Sequence, residues 1–243
     1  MSFREDYLNQ GYVVIPNGLS EAPLSVLEDS VTNLPAQRDL GTDVHFLKGQ
    51  VSSIHNLHNY LREYSACFDT LRPLAQELLG EPLAGLPFNS SYFAKPPGGW
   101  ATRDHQDNAY FHFDPPQALT CWVGLDDSDM TNGGLFYYEG SHQCGMFRHE
   151  TAGNPGASQA IADICDIPEG CLIRFLKLKR GDVVIHHPLV VHGSLTNHSE
   201  KPRRAFNFSF AGVSAKRNEA TFQKYRRELD EFIVKKRREA VHG

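Results

Sequence analysis

Apolar residues recur at three- and four-residue intervals through the first third of the chain, a spacing that predicts amphipathic helices. A short helix is expected over residues 3–9 and a longer one over residues 21–34, with Ser20 as its N-cap. Pro23 falls in the first turn of the longer helix, where proline is tolerated. The apolar face of that helix consists of Leu24, Leu27, Val31 and Leu34.

A third periodic stretch covers residues 57–79 and stops at Gly80. Pro73 lies inside this stretch and is expected to kink the helix or to split it in two. Residues 35–55 are polar and aperiodic, which predicts a loop that could cover a site. The β-branched run at residues 12–16 predicts one short strand within this otherwise helical part.

After Gly80 the pattern changes to short strand-like runs that are separated by turn signals such as Asn132-Gly133-Gly134. About eight short strands with regular turns are typical of a β-sandwich or a jelly roll. The predicted strands cover residues 88–94, 105–113, 118–125, 134–138, 172–177, 182–187, 189–193 and 203–211.

Two further segments complete the expected organisation. Residues 143–168 form a polar, glycine-containing insertion that we interpret as a second lid, and residues 217–239 are a charged amphipathic helix. No repeat or linker interrupts the chain, so we expect one domain over residues 1–243. Its helical N-terminal part would cover residues 1–80 and its jelly-roll core residues 83–213.

Composition and charge narrow the classes of function. The 243 residues carry a net charge of −5 with a pI near 6.2, whereas nucleic-acid-binding proteins usually have a basic surface. Five cysteines without a CxxC pair indicate neither a disulfide framework nor a zinc knuckle. The sequence has no secretory signal pattern and no apolar run of roughly 20 residues. We therefore expect a cytoplasmic protein that binds neither nucleic acid nor membrane.

Two HxD triplets, His105-Gln106-Asp107 and His112-Phe113-Asp114, are candidates for metal ligands. Residues two apart in a strand point to the same face, so either triplet could supply two ligands to one metal. Two prolines follow Asp114 and end its strand, whereas the strand is expected to continue beyond Asp107. We therefore favour His105 and Asp107, and His112 either faces substrate or is a polar residue at the barrel rim.

The third ligand must come from a distant strand, and the competing histidines are His186, His187, His192 and His198. His192 ends an apolar run and precedes Gly193, which would allow close approach, so we favour it. His186 and His187 precede a proline and are interpreted as structural residues or as partners that orient a ligand. Two imidazoles and one carboxylate can bind one face of Fe(II), as in non-haem iron oxygenases.

An arginine soon after the last histidine adds to this hypothesis. In the run over residues 203–211, Phe206, Phe208 and Phe210 alternate with small and polar residues. Arg203 shares the parity of the polar set, whereas Arg204 falls on the phenylalanine side and is expected at the surface. A guanidinium at position 203 could bind a carboxylate of 2-oxoglutarate through two parallel hydrogen bonds.

In order and spacing, these residues resemble the phytanoyl-CoA dioxygenase (PhyH) family of Fe(II)/2-oxoglutarate-dependent oxygenases. The order of the segments together is specific, although no single segment is. The matching segments are Gly11-Tyr12-Val13-Val14-Ile15-Pro16, Lys95-Pro96-Pro97-Gly98, His105-Gln106-Asp107-Asn108-Ala109-Tyr110-Phe111, Asn132-Gly133-Gly134-Leu135, Gly140-Ser141-His142, Gly181-Asp182-Val183-Val184 and His192-Gly193-Ser194 with Asn197 and Arg203.

The resemblance implies a mainly β protein with flanking helices whose core is a double-stranded β-helix, a cupin-like jelly roll. It implies that His105, Asp107 and His192 bind Fe(II) and that Arg203 binds the far carboxylate of 2-oxoglutarate. It also implies cosubstrate contacts for Ser194, Trp122 and Ser91, although Trp122 has a plain interpretation as a core aromatic residue.

The resemblance further implies a dioxygenase that uses Fe(II), 2-oxoglutarate and O2 to hydroxylate an unactivated C–H bond of a small molecule, with release of succinate and CO2. The alternatives are a metal hydrolase, which would have no use for Arg203, and a catalytically silent jelly-roll protein that binds a metal or ligand. The sequence indicates neither the substrate nor the oligomeric state.

Overall fold

A computed structural model describes residues 2–47, 49–154 and 157–242 of the chain. Five α-helices and thirteen strands are found in these ranges. The helices are α1 (Phe3–Gln10), α2 (Glu21–Gln37), α3 (Tyr64–Leu79), α4 (Asn108–Phe111) and α5 (Glu219–His242). The strands are β1 (Tyr12–Ile15), β2 (Val44–Leu47), β3 (Gln50–Ile54), β4 (Asn89–Lys95), β5 (Thr102–His105), β6 (Ala118–Gly124), β7 (Leu135–Tyr138), β8 (His149–Asn154), β9 (Ala157–Ile161), β10 (Ile173–Phe175), β11 (Val183–His186), β12 (His192–Ser194) and β13 (Arg203–Ala211).

The strands form two main antiparallel sheets and one hairpin. The larger sheet has seven strands in the order β1-β11-β6-β13-β4-β3-β2, and the smaller has four in the order β10-β7-β12-β5. Strands β8 and β9 form the hairpin. Side chains of both sheets, among them Trp122, Tyr137, Val184 and Ala205, pack into one apolar cluster between them. This arrangement confirms the predicted jelly roll with flanking helices.

The outer face of the seven-stranded sheet is covered by helices α2 and α3. The phenylalanines of β13 pack there with Leu27 of α2 and Phe68 of α3. With helices on one face and a sheet on the other, the central strand β6 is buried at every position. The alternation in β13 therefore confirms the prediction that its phenylalanines face away from Arg203. Arg204 lies on the phenylalanine side and pairs with Asp126 and Glu28.

Helix α3 differs from its prediction because it continues through Pro73 to Leu79. The break occurs earlier instead, between a 3₁₀ turn at Leu57–Asn59 and the start of α3 at Tyr64. The predicted split at Pro73 was therefore wrong, and a kink there stays a prediction. The apolar face of α3 is buried on both sides of the proline, and this burial offsets the cost of about 3 kcal/mol for proline inside a helix.

The loop predicted at residues 35–55 is largely ordered structure, and that prediction was wrong. Helix α2 extends to Gln37, and β2 and β3 form a hairpin that joins the edge of the seven-stranded sheet. The hairpin has a register shift between His45 and Phe46, which interrupts the strict alternation that sequence analysis looks for. Part of the insertion at residues 143–168 likewise forms the hairpin β8–β9.

The strand predicted at residues 105–113 ends at His105, and a helical turn, α4, follows. The side chain of Asn108 accepts a hydrogen bond from the Phe113 N–H and donates one to the Phe113 carbonyl, both at 3.0 Å. These bonds close the turn, and His112 ends it in the left-handed region with φ of 55°. The predicted strand at residues 189–193 is also shifted, because residues 187–190 form a turn before β12.

In the part of the chain that the structure describes, no helix is long and apolar enough to cross a membrane.

Candidate active site

The open end between the two sheets holds a cavity of about 210 Å³, which we call the central cavity. Strands β5 and β12 of the smaller sheet supply His105 and His192 to its wall, and β6 and β13 of the larger sheet supply Trp122 and Arg203. The strand ends that sequence analysis singled out therefore meet at one place.

His105 and His192 lie opposite each other on the neighbouring strands β5 and β12, with ring centroids 4.3 Å apart. Each ring is 2.8 to 3.1 Å from a backbone carbonyl two residues earlier, through Nδ1 to Arg103 for His105 and to Val190 for His192. A carbonyl only accepts, so Nδ1 carries the proton in both rings. The Nε2 lone pairs are left to face the cavity, as metal binding by histidine requires.

Asp107 is the residue immediately before α4 and does not belong to the continuing strand that the sequence had predicted. Its carboxylate points back toward the two histidines. Its Oδ1 is 3.7 Å from Nε2 of His105 and 3.7 Å from Nε2 of His192. Its Oδ2 accepts hydrogen bonds from Thr120 Oγ1 at 2.7 Å and from His186 Nε2 at 3.0 Å. One oxygen is thus available to a metal while the protein holds the other.

The ring of His186 is fixed from its other side. Tyr137 donates its hydroxyl proton to His186 Nδ1 at 3.0 Å, and burial raises the pKa of Tyr137 well above its usual value, so the phenol stays protonated. His186 Nε2 must then carry the proton that it donates to Asp107. The expectation that His186 orients a ligand fits these contacts.

The electrostatics of the group favour metal binding. Burial alone would raise the pKa of Asp107, but the His186 hydrogen bond and the three surrounding histidines hold it below the usual range. Burial, together with His105 and His186, lowers the pKa of His192 well below its usual value. At neutral pH the carboxylate is therefore charged and the His192 imidazole neutral, which are the protonation states that bind a cation.

These three residues fit a ferrous ion. One potential ligand atom from each of His105, Asp107 and His192 lies within 4.8 Å of the others, and all three residues are buried. Two imidazole nitrogens and one carboxylate oxygen form the donor set of the facial triad. Within residues 2–47, 49–154 and 157–242, no other group of three such side chains is close enough together to hold a metal.

A pair of buried cations lies in the same cavity. Arg203 and Lys95 are direct partners on the adjacent strands β13 and β4. The Arg203 Nε–H donates to the Gly133 carbonyl at 3.2 Å, and its guanidinium carbon lies 5.6 Å from the centre of the Trp122 ring. Lys95 Nζ donates to Ser194 Oγ at 2.7 Å and to the Leu195 carbonyl.

Neither cation has a counter-ion among the residues that the structure describes, since no carboxylate oxygen lies within 4.0 Å of either. Burial, and then the charge of Arg203, lowers the pKa of Lys95 to about 6, and burial lowers the pKa of Arg203 to about 10. Arg203 stays charged at neutral pH. The Lys95 amine, with its lowered pKa, is mostly neutral at neutral pH until an anion binds beside it. The charged Arg203 guanidinium and this amine together form a site for a small anion.

The sequence matches a known protein family over most of the chain. Residues 7–205 match the profile of the phytanoyl-CoA dioxygenase (PhyH) family. The chain belongs to this family. The matched segment contains the metal-binding group and both cations, so the family prediction is confirmed.

Individual relatives are distant from this PhyH protein. It is 31% identical to the phytanoyl-CoA dioxygenase of Arabidopsis thaliana over 49% of this chain and 41% of that protein. It is 26% identical to a probable phytanoyl-CoA dioxygenase of Caenorhabditis elegans over 86% of this chain and 74% of that one. The alignment therefore spans less than half of the Arabidopsis relative.

EctD from S. alaskensis, crystallised with 2-oxoglutarate and 5-hydroxyectoine, has the same fold with a TM-score of 0.71 at 21% identity, over 87% of this chain and 75% of EctD.

Sequence reasoning missed Lys95 as a site residue in this PhyH protein. It noted the segment Lys95-Pro96-Pro97-Gly98 only as a turn that resembles the family. Lys95 is buried, and a Cβ on Gly133, whose φ is 89°, would lie 2.6 Å from its Cδ. No local sequence signal points to it, because only the pairing of β4 with β13 in the fold brings Lys95 beside Arg203.

The structure brings together most of the predicted cosubstrate residues. Ser194 and Trp122 line the central cavity with Arg203, and Ser194 already accepts a hydrogen bond from Lys95. Ser91 is not with them. Its side chain contacts His55 Nδ1 at 3.0 Å and lines a neighbouring cavity.

Residues outside the metal-binding group complete the wall of the central cavity. Trp100 and Tyr110 line it, as do residues 46, 47, 52 and 53 of the β2–β3 hairpin. His112, for which contact with substrate was one of two interpretations, does not line it, and neither do Arg103, Arg148 and His149. Arg103 pairs with Glu150, and His149 Nε2 accepts a hydrogen bond from the Gln106 N–H at 3.0 Å.

Proposed function

We propose that this protein is an Fe(II)- and 2-oxoglutarate-dependent dioxygenase that oxidises a C–H bond of a small-molecule substrate, with release of succinate and CO2. One observation carries the proposal. A buried His-Asp-His group and the buried basic side chains of Arg203 and Lys95, which have no carboxylate partner among the described residues, share one cavity. Fe(II), 2-oxoglutarate and O2 are the cofactors expected of the family to which the chain belongs.

The roles of the residues follow from their chemistry. His105, Asp107 and His192 would hold Fe(II) through Nε2, Oδ1 and Nε2. Arg203 and Lys95 would bind the far carboxylate of 2-oxoglutarate, with Ser194 holding the lysine in place. When Fe(II) and 2-oxoglutarate are bound, they would activate O2 for the oxidation of the substrate. Trp122 and the buried strands around it keep water from the cations, which strengthens their attraction for the carboxylate.

The alternatives have less support. A hydrolase needs neither Arg203 nor Lys95, and a silent binding protein needs no complete set of three metal ligands. A small-molecule substrate and a cytoplasmic location stay part of the proposal.

The test is succinate formation by protein loaded anaerobically with Fe(II) and then given 2-oxoglutarate and O2. We expect slow, iron-dependent succinate release from the wild type and none from His105→Ala. Arg203→Met should weaken 2-oxoglutarate binding about ten- to a hundredfold, because a charge-assisted hydrogen bond is lost. Arg174→Met, which removes an exposed arginine, is the matched control and should bind normally. Absence of succinate in every condition would refute the proposal.

A further inference from the structure

A second cavity of about 240 Å³ lies next to the central cavity. Phe93 and Tyr110 line both, so the two cavities share a wall beside the metal-binding group. Phe111 of α4 and residues of α5, among them Phe222 and Tyr225, line the second cavity away from this shared wall. The Tyr110 hydroxyl is hydrogen bonded to the backbone of Gln159 in β9, which holds this shared wall in place.

Arg217 lies in the wall of the second cavity inside a frame of aromatic rings. Its guanidinium carbon is 4.3 Å from the ring centre of Phe222, 4.8 Å from that of Phe113 and 5.4 Å from that of Phe88. Its Nε–H donates to the Phe111 carbonyl at 3.2 Å. The rings and this hydrogen bond fix the plane of the guanidinium, which reduces the entropy that a ligand must remove on binding.

The two terminal nitrogens of Arg217 have no hydrogen-bond partner in the part of the chain that the structure describes, and no described carboxylate oxygen lies within 4.0 Å of them. Burial lowers the pKa of Arg217. Two acids line the same cavity: Asp43 is already bound by Asn56 and Tyr60, and Asp230 is exposed on α5. The charge of Glu219 acts on Arg217 from beyond 4.0 Å, so this half-buried and rigidly held guanidinium lacks a direct ion pair.

The second cavity is near enough to the metal-binding group to hold a reacting molecule. Helix α4 begins directly after Asp107 and ends at Phe111, whose carbonyl binds Arg217. Four residues of helix advance about 6 Å, so with the side chains the guanidinium lies on the order of 10 Å from the metal-binding group. A small molecule anchored at Arg217 could extend past Tyr110 toward the central cavity.

We propose that the primary substrate binds in the second cavity and that it is a small organic acid whose carboxylate pairs with Arg217. This inference rests on the proposed function and names its substrate class. The planar fork of a guanidinium matches a carboxylate through two parallel hydrogen bonds. The surrounding rings of Phe88, Phe93 and Phe222 would contact the apolar part of the acid.

The test compares acids with amides of the same shape. Phenylacetate and phenylacetamide, and hexanoate and hexanamide, are titrated calorimetrically into protein that holds Fe(II) and saturating 2-oxoglutarate without O2. The cosubstrate fills the site at Arg203 and Lys95. Any tighter binding of the acid than of its amide therefore comes from the second cavity. We expect each acid to bind the wild type at least about tenfold more tightly than its amide.

The preference should disappear in Arg217→Gln and persist in Arg227→Gln, a matched change of an exposed arginine on α5 that does not line the cavity. Equal binding of acid and amide by the wild type, no binding of either, or a preference that survives in Arg217→Gln would overturn the inference. The wild-type comparison needs no variant, so a poorly folded Arg217→Gln does not weaken the test.

Failure of this inference is distinguishable from failure of the proposed function. If the wild type forms no Fe(II)–2-oxoglutarate complex, seen by its visible absorption, the proposed function fails. The same titrations in metal-free Arg203→Met, whose cosubstrate site is disabled, then still decide whether Arg217 selects a carboxylate.

Discussion

Asp107 divides its two carboxylate oxygens between different tasks. Oδ1 faces the two histidines, and Oδ2 is held by Thr120 and His186. Thr120 and His186 fix the orientation of the Asp107 carboxylate before the metal binds. Metal binding therefore loses little free energy to ordering this carboxylate. The arrangement predicts that residues without any contact to the metal determine its affinity.

Thr120→Val tests this directly, because it removes the hydroxyl that donates to Oδ2 and keeps the shape of the side chain. We expect the dissociation constant for Fe(II), measured anaerobically, to rise about tenfold. Thr120→Ser retains the hydroxyl and should bind iron nearly as the wild type does. An unchanged affinity in Thr120→Val would mean that the carboxylate needs no such support.

The lowered pKa of Lys95 leads us to expect that the affinity for the cosubstrate depends on pH. Its pKa in the free protein is lowered to about 6 by burial and by Arg203, and a bound dicarboxylate should raise it. Between these two pKa values, binding takes up a proton, so the affinity falls as pH rises, by up to about tenfold per pH unit. Below pH 6 the lysine is charged in both states and this contribution vanishes.

The proton uptake can be measured by calorimetry of 2-oxoglutarate binding in buffers of different ionisation enthalpy. Lys95→Met should show weaker binding without the pH-dependent part, and the difference between the two proteins removes the contribution of the metal ligands. An identical pH profile in Lys95→Met would show that the lysine does not titrate with the cosubstrate.

At the scale of elements, Gly193 fixes how closely strand β12 approaches β5. A Cβ at this position would lie 2.7 Å from the Thr102 carbonyl oxygen and 2.6 Å from the Phe136 ring. Gly193→Ala should therefore separate the strands that carry His105 and His192. We expect a loss of about 1–3 kcal/mol in the free energy of unfolding and weaker iron binding.

Gly170→Ala is the matched control, since a Cβ there meets nothing within 4 Å and its φ is not in the left-handed region. Its unfolding free energy should stay within about 0.5 kcal/mol of the wild type. Normal stability and iron binding in Gly193→Ala would contradict the close packing of β12 and β5.

The elements differ in how well the sequence predicted them, for physical reasons. Strand β13 was predicted with its correct bounds because phenylalanines strictly alternate with small and polar residues along it. The hairpin β2–β3 was missed because its strands are short, lie at a sheet edge and have a register shift that interrupts the alternation. Helix α4 was missed because the Asn108 side chain, which closes the turn, is not visible to a periodicity argument.

The same contrast applies to the site. The histidines, Asp107 and Arg203 were predicted as one group because their residue types and order are specific to one chemistry, and the structure brings them together. Lys95 was missed because a lysine before Pro96-Pro97 has the local pattern of an exposed turn. Only the pairing of β4 with β13 brings it beside Arg203.

In the molecule as a whole, the second cavity combines residues inside the family match with residues beyond it. The family match ends at residue 205, and every residue of the metal-binding group and the cation pair lies within it. Arg217, Phe222 and Tyr225 of the second cavity lie beyond that point. The family match therefore includes the metal-binding group, Arg203 and Lys95, but not Arg217, which would bind the carboxylate of the substrate in our proposal.

The iron and cosubstrate assignments can be tested by a crystal structure of the protein grown anaerobically with Fe(II) and 2-oxoglutarate, with anomalous scattering recorded at the iron edge. We predict one iron bound by Nε2 of His105, Nε2 of His192 and Oδ1 of Asp107, with the far carboxylate of 2-oxoglutarate between Arg203 and Lys95. An iron bound elsewhere, or a cosubstrate carboxylate that touches neither cation, would contradict these assignments.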